Sequence, residues 1–450
     1  MSSPPSNRLS IGLASLAVLA FAGICASLGD FRAHSQELVA GALAWAALSA
    51  WIAWQCRHAS HLPWAIILAA VGARLLFLGL PPTLSDDVFR YLWEGKVLQA
   101  GFSPFVYAPS NPALAALRDA VHAQVAHPDV PTIYPPLAQA LFRVSVLFYT
   151  PLFFQAAAAL ADLGIVALLT IRARSRATSI WPAAFWALHP LPILESAASG
   201  HLETIAIFLT IAAVVGLERD MRLRGALLAT AGGLVKLLPF LLLVQALRAP
   251  PAAHRARIGL ACITFIAVVT VPFWADRSAL FTGFETYAAH WSHNASLFGL
   301  LQWAVGGDGI FARKLGLCAG ILVSLWAWRE RNTPAQLLLW TAGALVILSP
   351  VVHPWYVLWP LCAAMLTGTW AWGVLASTVL LSYLVLQGYD PSRSSWTPLS
   401  WIPWIEYPPF FIALLLQARS RKRSLQSGPQ PAGSLSQSQM QPDPSTHWKH

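Results

Sequence analysis

Twelve apolar runs near bilayer-spanning length divide this chain and leave little sequence for anything else. They begin at Leu9, Leu38, Pro63, Pro151, Ile180, His201, Ile258, Ile310, Ala335, Trp355, Trp370 and Ile402. A helix needs about 20 apolar residues to cross the hydrocarbon of a membrane. Composition points the same way: 56% of residues are hydrophobic, only 11% are charged, and mean hydropathy is +0.57, whereas soluble domains carry about 25% charged residues. The expectation is an all-α polytopic membrane protein of roughly 11–13 transmembrane helices. Leu9 to Leu28 has the length of a full span, and Ile24 before Cys25 spoils a lipoprotein cleavage site, so this run reads as an anchor rather than a signal peptide.

A net charge of +10 could indicate a nucleic-acid partner, but the basic residues sit in small clusters between apolar runs. Arg172/Arg174/Arg176, Arg219/Arg222/Arg224, Arg248/Arg255/Arg257, Arg329/Arg331 and Arg419/Arg421/Lys422/Arg423 are such clusters. Together with Arg8, Arg57 and Lys449 they hold more than half of the 29 Lys and Arg. The positive-inside rule places them in the cytoplasm, and no nucleic-acid partner is expected. The stretch 225–247 has basic loops on both sides and must cross an even number of times, so it is expected to be a hairpin of two short helices. Gly232, Gly233 and Pro239 are the breakers, and Lys236 sits at the tip. Residues 137–149 suit a half-helix or interfacial helix. The five cysteines have no metal-ligand or disulfide spacing and are assigned to packing. The expected organisation is N-terminal helices over 1–62, a membrane core over 63–417 with a large extracytoplasmic loop at 81–135, and a disordered cytoplasmic tail over 418–450.

With that topology the unusual polar residues gather on the extracytoplasmic side. Ser85 suits a helix N-cap, with Asp86 and Asp87 in the first turn, and the helix should stop at Gly101. Asp86, Arg90 and Glu94 fall on one face at four-residue spacing, while Asp87 lies over Tyr91. Alone, this pattern also fits an ordinary capped helix with a salt bridge. Adjacent carboxylates at the edge of a bilayer nevertheless repel each other and serve a fold poorly, which marks them as chemistry.

Glu195, His201 and Glu203 surround a break at Gly200, and three ionisable groups within apolar sequence are costly enough to call for a purpose. Lys236 sits in the middle of an apolar hairpin, and its ammonium could neutralise a lipid phosphate at the bilayer edge rather than merely snorkel. His353-Pro354-Trp355-Tyr356 caps a span, where aromatic residues are also expected as interfacial anchors. Tyr287, His290, Trp291, His293 and Asn294 could line a sugar site, since aromatic faces and amides suit a polyol. There is no Gly-rich phosphate loop, zinc spacing or serine nucleophile elbow.

The run Ser85-Asp86-Asp87-Val88-Phe89-Arg90-Tyr91-Leu92-Trp93-Glu94-Gly95-Lys96-Val97-Leu98-Gln99-Ala100-Gly101-Phe102-Ser103-Pro104-Phe105 resembles the first extracytoplasmic loop of the GT-C superfamily of integral-membrane glycosyltransferases. It is most similar to the bacterial polyprenol-phosphate-mannose-dependent mannosyltransferases. Tyr134-Pro135-Pro136, His189-Pro190 with Glu195 and Gly200-His201, Lys236-Leu237-Leu238-Pro239, and His353-Pro354-Trp355-Tyr356 follow in matching order. The resemblance implies a GT-C-like bundle in a bacterial cytoplasmic membrane, with its active site facing the periplasm or exterior. It also implies a sugar, mannose by resemblance, carried on a polyprenyl phosphate and transferred with inversion to a lipid or glycan acceptor.

On this resemblance Asp86 and Asp87 are the catalytic candidates. Asp86 is placed as general base and Asp87 as orienter or metal contact, or the two roles are exchanged. Arg90, Glu94, Tyr134, Glu195, His201, Glu203, Lys236, His290 and His353 are the substrate-binding candidates, with Arg90, His201 and Lys236 on the phosphate side. The cofactor question is left at a divalent cation on the acidic pair. A transporter or flippase of lipid-linked saccharides is the competing reading. It predicts charges along the depth of a central path and an internal repeat, whereas here the charges cluster at one face.

Overall fold

The computed structural model describes residues 5–248, 250–390 and 396–426. Among them the secondary structure is helical; no strand forms, and one isolated bridge pairs His293 with Val351. A helix starts within a few residues of every one of the twelve apolar beginnings, from Pro5–Ser27 to Ile402–Gln426. Among the described residues six spans are long and apolar enough to cross a membrane alone: Leu9–Ser27, Ser35–His58, Pro151–Ser175, Ala252–Asp276, Gly309–Arg329 and Ala371–Gly388. Others are shorter because proline and glycine cut them. The run from Ile180 stops at His189, restarts at Pro190, and meets Leu202–Glu218 at a bend of 118°. Pro354–Thr367 contains Pro360 and ends on Gly368 in the left-handed region. The last helix continues through the basic cluster to Gln426, past the point where the tail was expected to begin; the rest of the tail lies outside the described residues.

The bundle is assembled by neighbours in sequence. Pro5–Ser27 packs on Ser35–Gln55 and Trp64–Phe77, and Pro151–Ser175 packs on Leu202–Glu218, which in turn packs on Arg222–Gly233. Gly309–Arg329, Pro334–Leu348 and Pro354–Thr367 stack in succession. Many outward faces remain apolar and exposed, among them Leu13, Leu16, Leu260, Ile263, Leu322 and Leu415. That is the pattern of a surface solvated by lipid. The predicted hairpin forms as the helix Arg222–Gly233 and a return through Leu238–Leu242, with Lys236 at the turn. The predicted half-helix is Pro136–Ser145.

One polar knot lies deep in this frame. The Arg74 guanidinium donates to Asp162 Oδ2 from both Nε (2.9 Å) and a terminal nitrogen (2.6 Å), and all these groups are buried. Trp186 Nε1 donates to the other carboxylate oxygen at 2.6 Å, and Ser196 Oγ adds a bond at 3.1 Å. Four helical segments are thereby tied at one point. A buried ion pair is tolerated only when such bonds saturate it.

The loop over 81–135 has a rigid base. Asp87–Gln99 is a helix, Ser85 Oγ accepts the Asp87 N–H at 3.2 Å, and Gly101 ends it at φ +86°. The helix lies directly on Pro136–Ser145: a Cβ at Gly95 would stand 2.1 Å from the Phe142 carbonyl oxygen, so only glycine allows this approach. Farther out, Asp119 accepts from Lys96 at 2.6 Å and from Tyr149 at 2.8 Å. Burial alone would raise its pKa, but Lys96, the His122 N–H and Tyr149 outweigh that and hold the carboxyl below the usual carboxylate range.

Candidate active site

A cavity of about 150 Å3 opens beneath this loop. Asp86, Asp87, Arg90, Tyr134, Lys236 and His353 all line it, although they come from four separated stretches of sequence. The loop helix delivers the acids, the hairpin tip delivers Lys236, and the cap of Pro354–Thr367 delivers His353. Glu195, His201 and Glu203 stand just behind the wall, fully buried or nearly so.

The two aspartates differ. Arg32 pairs with one oxygen of Asp86, and the Tyr389 hydroxyl donates to the other. Asp86 is thus occupied on both sides and only 12% exposed in its side chain. Asp87 accepts one long bond from Tyr134, at 3.2 Å, and its side chain is 32% exposed toward the cavity. His201 Nε2 lies 3.8 Å from Asp87 Oδ2, and His201 Nδ1 lies 2.5 Å from Glu195 Oε2.

Local backbone geometry makes this possible. Leu194–Ala198 is a π-helical turn, an irregularity frequent at functional sites, and it rotates Glu195 inward. Gly200, at φ +72°, presses against Phe154 and the Gln155 backbone nitrogen, where a Cβ would be 3.0 Å away. The chain turns sharply there and sends His201 back over Glu195.

Lys236 Nζ is 2.7 Å from Glu203 Oε1 and 4.9 Å from the centre of the Tyr134 ring. Glu203 Oε2 has no hydrogen-bond partner among the described residues. His353 stacks on Trp355 at 4.4 Å with the rings 8° from parallel, and Trp355 also covers His201 at 4.3 Å.

Other candidates are placed differently from expectation. Arg90 touches the cavity, but its guanidinium is spent on the loop: it donates to the carbonyls of Ala126, His127 and Val130 and to Glu94 at 3.2 Å. Glu94 does not reach the cavity. It also accepts from Thr132 and Gln139, both at 2.6 Å, and burial pushes its carboxyl pKa up against the pull of Arg90. These two residues hold the loop in place, because the helix face they share turns toward the returning segment 126–132 of the loop. His290 is also outside the cavity: it is exposed and bonds the Thr286 carbonyl one turn back on its own helix. Asn294, in a glycosylation-like triplet, is taken up by Glu406 at 2.8 Å.

Sequence reasoning missed Arg32, His127, Tyr383, Tyr389 and Trp396, all of which line the cavity. An arginine alone in a short connection and a tyrosine within an apolar run were the available signals for Arg32 and Tyr383. No group of three His, Cys, Asp or Glu side chains among the described residues forms a cation site. The acidic pair does not fit one as arranged, since Arg32 and Tyr389 occupy Asp86. A wider groove of about 550 Å3 runs between Pro136–Ser145 and the end of Ala252–Asp276, but no candidate residue lines it.

Two family models match the chain. One is glycosyltransferase family 87, over residues 132–354, and the other is the MptB C-terminal domain, over residues 310–414. No curated protein and no solved structure matches it. Tyr134, Glu195, His201, Glu203, Lys236, His290 and His353 fall inside the first match, while the Asp86-Asp87 pair lies before both. With an all-helical membrane frame and these two matches, the chain is a glycosyltransferase, similar over residues 132–354 to glycosyltransferase family 87, a GT-C family.

Proposed function

We propose that this protein transfers a sugar, mannose in the first instance, from a polyprenyl-phosphate donor to a lipid or glycan acceptor, with Asp87 as general base and inversion at the anomeric carbon. The observation that carries the assignment is the division of labour between neighbours: Asp86 has both oxygens bonded, while Asp87 faces the cavity. This exchanges the roles first given to the pair.

In this reading the acceptor hydroxyl lies within hydrogen-bond reach of Asp87, which takes its proton as the oxygen attacks. Lys236, on the same cavity wall, stabilises the charge gathering on the departing phosphate. Release of Lys236 from Glu203 to the phosphate keeps the ammonium paired throughout. Arg90 and Glu94 keep the loop helix in register, so that the base stays at a fixed height. The proposed setting is a bacterial cytoplasmic membrane with the cavity facing the periplasm or exterior.

The test is sugar transfer by the purified full chain in lipid nanodiscs, supplied with polyprenyl-phosphate-mannose and a membrane lipid extract as acceptor. Asp87→Asn should abolish transfer, and Asp86→Asn should retain part of it. A wild-type protein that moves no mannose would overturn the donor assignment, and an Asp87→Asn variant equal to wild type would overturn the base.

A further inference from the structure

Glu195, His201 and Tyr383 form a chain of hydrogen bonds behind the cavity that leads to Asp87. His201 Nδ1 is 2.5 Å from Glu195 Oε2, and the Tyr383 hydroxyl donates to Glu195 Oε1. The first two residues are completely buried, and Tyr383 is 3% exposed. A carboxylate only accepts hydrogen bonds, so Nδ1 carries a proton, and in the neutral ring that the relay requires the lone pair falls on Nε2. Nε2 is buried and has no hydrogen-bond partner among the described residues; Asp87 Oδ2 lies 3.8 Å away.

A lone pair facing an ionised carboxylate at that distance is idle. It becomes a good acceptor once the carboxyl is protonated, and that is the state a general base reaches during the reaction. The π-helical turn and the positive φ of Gly200 are both needed to set this alignment, since regular helix from Pro190 onward would not fold His201 back over Glu195. Glu195 and Tyr383 fix the tautomer and the ring orientation, as the buried carboxylate does in a Ser-His-Asp triad.

We propose that His201 is a positioning residue for Asp87 which, held by Glu195 and Tyr383, receives the proton that Asp87 takes from the acceptor hydroxyl. The inference rests on Asp87 being the base. As the acceptor oxygen bonds to the anomeric carbon, the bond from that carbon to the phosphate oxygen breaks, and its electron pair leaves with the phosphate. The hydroxyl proton moves to Asp87 and on to His201 Nε2. The imidazolium is neutralised by Glu195, Asp87 is restored as a carboxylate, and the proton returns through it to water when product leaves.

Glu195→Gln separates this role from a structural one. A glutamine keeps both hydrogen bonds, accepting from Tyr383 and donating to His201 Nδ1. That donation forces the proton onto Nε2, where it blocks acceptance from Asp87. With polyprenyl-phosphate-mannose and membrane lipid extract, the variant should lose about 100-fold or more in kcat with KM little changed. A variant with wild-type kcat, beside an inactive Asp87→Asn, would overturn the relay and leave the base standing. An active Asp87→Asn would remove both. If Glu195→Gln does not fold, the wild-type proton inventory in mixed light and heavy water decides instead. A curved plot supports two protons in transit, and a straight one overturns the relay.

Discussion

Arg32 reaches Asp86 across 54 positions of sequence and pairs with it at the rim of the cavity, leaving the next residue, Asp87, to face inward. Two adjacent carboxylates disfavour each other's charge. Satisfying one of them with a guanidinium and the Tyr389 hydroxyl leaves the other open to the cavity. The Arg32 guanidinium also lies 4.3 Å from the centre of the Tyr389 ring, so this contact ties the first helical connection, the loop and the segment after Val379–Gly388 together.

Loss of that tie should loosen the start of the loop helix. Arg32→Gln leaves Asp86 with the Tyr389 bond alone and should cost about 1 kcal/mol of local stability, as expected for a partly exposed pair. Amide exchange over residues 84–90 should then accelerate about fivefold, with no change over Pro151–Ser175. Identical exchange in wild type and variant would show that the pair holds nothing.

Gly95→Ala should separate the loop helix from Pro136–Ser145. The new methyl group would sit 2.1 Å from the Phe142 carbonyl oxygen, a backbone atom that cannot rotate away. A cost of about 1–3 kcal/mol is expected, at the scale of overpacked cores, with reduced transfer because Asp87 shifts with its helix. Thermal unfolding in detergent reads the first effect. An unchanged midpoint would mean that the two helices part without penalty.

Asp162→Ala should be among the most damaging single changes outside the cavity. It strands the Arg74 guanidinium and removes the acceptor of Trp186 and Ser196. Breaking a buried pair from one side costs about 3–5 kcal/mol. Arg74→Met combined with Asp162→Leu should recover much of that loss, since no charge is then left buried. Thermal midpoints of the single and double variants make the comparison, and a double variant worse than the single would contradict the account.

The His127 segment should tighten as pH rises. Burial, and then the nearby Arg90 charge, lower the His127 pKa below its ordinary 6.5 in the folded loop. Between the two values the open loop binds more protons than the closed one, so protection increases with pH across that window and is complete above about 6.5. Protection factors over residues 126–130, with the intrinsic pH dependence of amide exchange divided out, should therefore fall on acidification from neutral pH to about 5, and His127→Gln should remove that fall. Equal pH dependence in the variant would assign it to another group.

The sequence by itself determined the helical membrane frame. Apolar length and the scarcity of charge leave a chain few other states, and a helix begins near each of the twelve run beginnings, the largest offset being Ala252 for the run at Ile258. It also marked most of the groups at the cavity, because Asp87, Glu195, His201, Glu203 and Lys236 are conspicuous in apolar surroundings. Where proline and glycine shorten or bend a span was legible only as a tendency, and the 118° bend after Ala198 depends on Gly200 meeting Phe154.

Tertiary structure alone decided which acid is free. Periodicity put Asp86, Arg90 and Glu94 on one face, but it could not say that Arg32 and Tyr389 would come from remote segments to claim Asp86, or that Arg90 would be spent on three loop carbonyls. A local pattern fixes the direction of a side chain relative to its own helix. The partner that satisfies it is set by the packing of elements dozens to hundreds of residues away, and one sequence carries no local record of that packing.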